Sequence, residues 1–125
     1  MVFDTDVLVW VLRGHDKAAR VVNTAPVRGI SLVTYMELIQ GARDKAEMRL
    51  IKRFLADLGF EMLPLTENVG HRASIYMEEY ALSASMSMAD ALIAATAVEQ
   101  TQTLVTANQK HYRPIKELQL KAFKP

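Results

Sequence analysis

Two hydrophobic rhythms succeed one another along this chain. Val2 and Phe3 form a short apolar run that stops at Asp4, and VLVWVLR (7–13) follows at helical spacing. Asp6 stands where a helix N-cap is expected, and Gly14 where a helix should stop. HDKAARVVNTA, before Pro26, predicts a second helix with Ala18, Val21 and Val22 inward. GISLV (29–33) predicts a strand, and TYMELIQGAR after it a helix capped by Thr34. In KAEMRLIKRFLADLG, residues Met48, Ile51, Phe54, Leu55 and Leu58 make one apolar stripe, with Arg49, Lys52 and Arg53 off it. FEMLPL predicts a third strand, and TENVGHRASIYMEEYALS a helix with Val69, Ala73, Tyr76, Met77 and Tyr80 on one face. SMADALIAATAVEQ is apolar nearly all round and rich in alanine, as in a helix pressed against a sheet. TLVTAN (103–108) and LKAF (120–123) supply the last strands.

Strands that alternate with helices imply a parallel sheet covered on both faces. The expected architecture is an α/β sandwich of four to five short strands, a single domain over residues 1–125. A chain of this length buries about two-thirds of its unfolded surface, enough for a self-sufficient core. Its 15 basic and 14 acidic residues nearly cancel, so any charged site must come from local segregation. The absence of cysteine excludes disulfides, thiolate zinc sites and cysteine nucleophiles, and fits a cytoplasmic location. No apolar run approaches the roughly 18 residues of a membrane span, and no signal peptide is expected. The glycines form no phosphate-cradling loop, and His15, His71 and His111 are too far apart for a local metal motif.

The acids change this picture. Open α/β sheets bind ligands at the carboxyl ends of their strands. Asp4 leaves the first strand, Glu37 is expected in the first turn of the helix after the second, and Asn108 leaves TLVTA. Asp90 stands three residues after Ser87, a pattern resembling a capping box. Taken singly, Asp6 serves as a cap, Glu37 as a surface charge, Asp90 as a capping residue and Asn108 as a turn residue. Jointly, they are expected to meet at one rim. Two carboxylates about 4 Å apart repel by roughly 4 kcal/mol at an effective dielectric near 20. A cluster of three therefore calls for a cation. All-oxygen ligands suit Mg²⁺ or Mn²⁺, which polarise phosphoryl oxygens and activate water. Trp10 and Met77, Met86 and Met88 read as core or interface, and His71 as solvated. The run Arg43, Lys45, Arg49, Lys52 and Arg53 reads as a solvated face that could also hold phosphates.

DTDVLVW, SLVTYMELIQG, SMADALIAATA and LVTANQKHYRPI, in that order and spacing, resemble the PIN-domain ribonucleases. Within them, the chain is most similar to the VapC-type toxins of bacterial toxin–antitoxin modules. The resemblance implies a PIN fold and metal-dependent cleavage of RNA phosphodiesters, leaving 5′-phosphate and 3′-hydroxyl ends. It carries over Asp4, Glu37 and Asp90 as the acidic site and Mg²⁺ ligands. Asp6 stands where Asn or Ser is more usual, and Asn108 where many members have a fourth acid. Glu37 or Asp6 would take the proton of the attacking water. The implied partners are RNA, a cognate antitoxin that lays an amphipathic helix on the apolar faces of the first two helices and of the helix after Glu37, and a second copy of the chain. No membrane is involved. Two alternatives remain at this point. One is a haloacid-dehalogenase-like phosphatase, whose opening DxDx[TV] motif matches DTDV with Asp4 as nucleophile. The other is a catalytically silent PIN-like binding module.

Overall fold

Val2 and Phe3 are adjacent and fully buried, yet they belong to different cores. Successive side chains of a strand point to opposite faces of its sheet, so these two residues alone show a sheet covered on both sides. The computed structural model describes residues 1–125. It contains five strands and seven helices. In chain order these are β1 (Val2–Phe3), α1 (Thr5–Leu12), α2 (Asp16–Thr24), β2 (Gly29–Ser31), α3 (Leu32–Gln40) and α4 (Lys45–Asp57). There follow β3 (Glu61–Leu63), α5 (Glu67–Tyr80), α6 (Met88–Glu99), β4 (Leu104–Thr106), α7 (Gln109–Tyr112) and β5 (Leu120–Ala122). The strands pair in parallel in the order β3-β2-β1-β4-β5.

One core lies under α5 and α6. It takes Val2, Leu63 and Leu104 from the sheet, with Ile93, Ala94 and Tyr112 against them. The other takes Phe3, Ile30 and Val105, with Val7, Leu8, Val22, Ile51 and Leu55 of α1, α2 and α4. A two-residue strand makes few ladder bonds, each worth about 1 kcal/mol net. Burial of Val2 and Phe3, roughly 1.5–3 kcal/mol apiece, therefore does more to hold β1 in place. Ala91, Ala94, Ala95 and Ala97 of α6 are buried, which lets this helix lie close to its neighbours.

Three local expectations need correction. Asp4, not Asp6, caps α1: its carboxylate accepts from Thr5 N, and Asp6 falls in the first turn, where a negative charge suits the helix dipole. Ser31, not Thr34, caps α3 by accepting from Val33 N. The helix therefore starts at Leu32 and absorbs the last two residues of the expected strand. Glu37 consequently lies in the second turn of α3 rather than the first. The helix α7 was not among the expected elements.

Gly14, just past α1, has φ +85° and nothing within 4 Å of where a Cβ would stand. Gly14→Ala therefore meets no neighbour, and its cost is backbone strain alone. Urea unfolding should show a loss of about 1 kcal/mol. Unchanged stability would mean that the turn does not need the left-handed conformation.

Candidate active site

β1 and β4 end side by side: Asp4 follows the last residue of β1, and Thr106 is the last residue of β4. Asp4 N bonds to Val105 O, which carries the Asp4 side chain across the end of β4. Asp4 is only 6% exposed. Its Oδ1 accepts from Thr5 N and its Oδ2 from the Thr106 hydroxyl, each at 2.8 Å. Burial first, then the charge of Asp6, push its carboxyl up to about 7; the bonds from Thr106, Thr5 and Tyr112 pull the other way. Asp6 sits two residues further on, at the same rim. Its oxygens accept from Ala107 N at 3.2 and 3.3 Å and from Asn108 Nδ2 at 3.2 Å. Its pKa is also raised, mainly by burial, with a contribution from the charge of Asp90.

Glu37 reaches this rim from α3. Its Oε1 accepts from the Thr5 hydroxyl at 2.6 Å, and Thr5 in turn lies 3.1 Å from the buried Thr34 hydroxyl. Asp90 enters from the first turn of α6. The Ser87 hydroxyl accepts from Asp90 N, so the serine starts the helix and leaves the Asp90 carboxylate free for other work. The Tyr112 phenol donates to Asp90 Oδ1 at 3.1 Å, and His111 Nδ1 lies 3.1 Å from Oδ2. Burial, then the charges of Asp4 and Asp90, push the Tyr112 phenol far above the ordinary tyrosine value, so it serves only as a donor.

All five candidates, Asp4, Asp6, Glu37, Asp90 and Asn108, line one cavity of about 520 Å³. Arg13 and His111 are also in its wall, and no lysine is. The expected convergence therefore appears, but not as a bare trio of repelling acids. Each carboxylate is turned to protein donors, and no three acid or histidine side chains stand close enough to share an ion. The donor set nonetheless suits a hard divalent cation: it is all oxygen, and one member is a desolvated carboxylate pressed by a second. Asn108 is a donor to Asp6.

Sequence reasoning missed Thr5, Thr34, Thr106, His111 and Tyr112. Trp10, read as core or interface, is partly buried and lines the cavity, its ring edge-on to His15 at 5.2 Å. Met86 is buried and Met77 partly so, but Met88 is 69% exposed. His71 and the basic residues of α4 are exposed, as a solvated face requires.

Residues 1–116 match the model of the PIN domain. The chain belongs to the PIN-domain family. It is 39% identical over 119 residues to Ribonuclease VapC10 of Mycobacterium tuberculosis, covering 92% of this chain and 87% of that protein. The fold of a toxin–antitoxin complex chain from Klebsiella pneumoniae is similar, with a TM-score of 0.79 and 26% identity over 94% of this chain and 93% of that one. A chain of VapBC2 from Rickettsia felis, bound to a fragment of its promoter DNA, also has a TM-score of 0.79. At 20% identity, over 99% of this chain and 100% of that one, it supports the fold alone. The PIN domain here thus carries its acids where an α/β sheet presents its strand ends. A haloacid-dehalogenase-like phosphatase would need a lysine beside the phosphate, and this PIN cavity has none. No helix is long and apolar enough to cross a membrane.

Proposed function

We propose that this PIN domain, residues 1–125 taken as one unit, is a divalent-metal-dependent endoribonuclease, the toxin of a toxin–antitoxin pair. The observation that carries this reading is the cavity that joins Asp4, Asp6, Glu37 and Asp90 at the ends of β1 and β4. A 39% identical ribonuclease supports RNA as the substrate. Mg²⁺ or Mn²⁺ needs only one or two direct carboxylates and keeps several waters, so three acids need not all touch it. Asp4 and Asp90 would hold it and Glu37 would act on its waters, and the ion would supply positive charge to the scissile phosphate. The protein's own residues do the rest. Arg13, on the cavity wall, meets the RNA backbone. Asp6, whose burial makes it a stronger base than an exposed acid, takes the proton of the attacking water at a carboxylate oxygen. Thr5, Thr106 and Tyr112 keep the remaining carboxylates from turning away.

A groove of about 590 Å³, lined by Val9, Leu12, Leu38, Leu50 and Ile51 and flanked by Arg43 and Glu47, runs beside the acidic cavity and shares Val9, Arg13 and Glu37 with it. Leu12 and Leu50 on its walls are 40% and 60% exposed. Such a groove takes the apolar face of a partner helix, as an antitoxin would supply. Its shared residues put the partner within reach of the acids.

The test is purified protein with a labelled RNA, in Mg²⁺ and in EDTA. Cleavage should require the ion and disappear in Asp4→Asn. Equal cleavage in EDTA would exclude the metal. No cleavage of any RNA, with normal growth on strong expression, would favour a silent binding module.

A further inference from the structure

Both oxygens of the Asp90 carboxylate are held by neighbouring residues of one short helix, α7. Tyr112 O–H donates to Oδ1 and His111 Nδ1 faces Oδ2, each at 3.1 Å. The two contacts differ in kind. The His111 side chain is 55% exposed, so water competes for its place. Tyr112 is fully buried, its ring part of the core under α5 and α6. A close-packed ring has one position, so its hydroxyl points to one place. The segment from Thr106 to Tyr112 contains no acid, and it supplies donors to three of them. Thr106 bonds Asp4, Ala107 N and Asn108 bond Asp6, and Tyr112 bonds Asp90. Of the side chains among these donors, Tyr112 alone joins the cavity to the core by a large ring.

Taking Asp90 as a cation ligand, as proposed above, we propose that Tyr112 is the positioning residue of the acidic centre. Its core-anchored phenol aims the Asp90 carboxylate into the cavity beside Asp4, and so sets how tightly a divalent cation is held. Hydrogen bonds behind metal ligands commonly change affinity by roughly 10–100-fold. Tyr112→Phe keeps the ring and its packing and removes only the donor.

Calorimetric titration of the metal-free protein with MgCl₂ decides the point, alongside thermal melts and the Mg²⁺ dependence of RNA cleavage. Tyr112→Phe should weaken Mg²⁺ binding about tenfold. The half-saturating Mg²⁺ for cleavage should rise in step, with the rate at saturating Mg²⁺ within about twofold of wild type. Tyr76→Phe removes a phenol that bonds Glu117 outside the cavity, and should leave Mg²⁺ binding unchanged. Asp90→Asn should bind Mg²⁺ far more weakly than either. Wild-type affinity in Tyr112→Phe, with Asp90→Asn still defective, would leave the cation site standing and remove Tyr112 from it. Wild-type protein that binds no Mg²⁺ would overturn both. A readout without substitution is the Tyr112 ring ¹³Cζ resonance in wild-type NMR spectra, which reports on the hydrogen bond its hydroxyl makes. It should shift when Mg²⁺ is added, and an unmoved resonance would refute the assignment whether or not the phenylalanine variant folds.

Discussion

Asp90→Asn should lower RNA cleavage by at least about a hundredfold while the fold is kept. The α6 start does not depend on this carboxylate, because Ser87 caps the helix through the backbone N–H of residue 90. An asparagine also keeps an oxygen for the Tyr112 phenol, which here bonds Oδ1. The change therefore removes one negative charge from the cavity and, beyond that, only the contact of Oδ2 with the exposed His111. A group that stabilises charge developing in the transition state is typically worth 10²- to 10³-fold in rate, roughly 2.7–4 kcal/mol. Asp4→Asn should have an effect of the same size. Steady-state cleavage of a fluorescent RNA, with circular dichroism to confirm the fold, reads the result. Mg²⁺-dependent cleavage retained in both variants would remove these acids from the chemistry.

The second large effect is on stability and pH. Asp4 is buried and its carboxyl is pushed up to about 7, from an ordinary value of 3.8. Folding is therefore penalised at any pH where the unfolded acid is ionised and the folded one resists ionising. That penalty is absent below about 3.8, grows through the interval, and is complete above about 7. Each unit of displacement is worth about 1.4 kcal/mol, and a domain of this size shifts its melting midpoint by roughly 3–6 °C per kcal/mol. In EDTA, the midpoint should thus rise by several degrees as pH falls from 8 to 6. Asp4→Asn should melt higher than wild type at pH 8, and most of the pH dependence in this window should go. Asparagine is as good an N-cap as aspartate, so the bond from Thr5 N survives the change. Mg²⁺ should raise the wild-type midpoint at pH 8, because a ligand that binds only the folded state stabilises it by mass action. A wild-type midpoint flat between pH 8 and 6, with Asp4→Asn melting lower, would show that the buried charge is not the cost it is taken to be.

Much of this was legible in the chain because the sheet is parallel and its strands are short. Alternating strand and helix patterns place Asp4, Asp90 and Asn108 at element ends, and element ends in such a fold gather at one rim. The capping errors have a common cause. Asp4 and Asp6, and Ser31 and Thr34, are each a pair of competent caps a few residues apart, and propensity does not choose between them. The choice was made where the core begins: Val33 is buried as part of α3, which leaves Ser31 at its start. His111 and Tyr112 were illegible for a different reason. They lie more than 20 residues from Asp90, in a helix of four residues, too short to show a period. Only the fold brings them together. The threonines offered a faint signal, since Thr106 interrupts the apolar LVTA exactly where β4 ends, yet a lone hydroxyl there also reads as a turn.

The most direct test is mass spectrometry of a short RNA cut by the purified protein in ¹⁸O-labelled water with Mg²⁺. Attack by water on the phosphorus predicts a 5′-phosphate carrying one ¹⁸O and a 3′-hydroxyl on the other fragment. A 2′,3′-cyclic phosphate with no label would mean that the RNA's own 2′-hydroxyl is the nucleophile, and the account of the acidic cavity would be wrong.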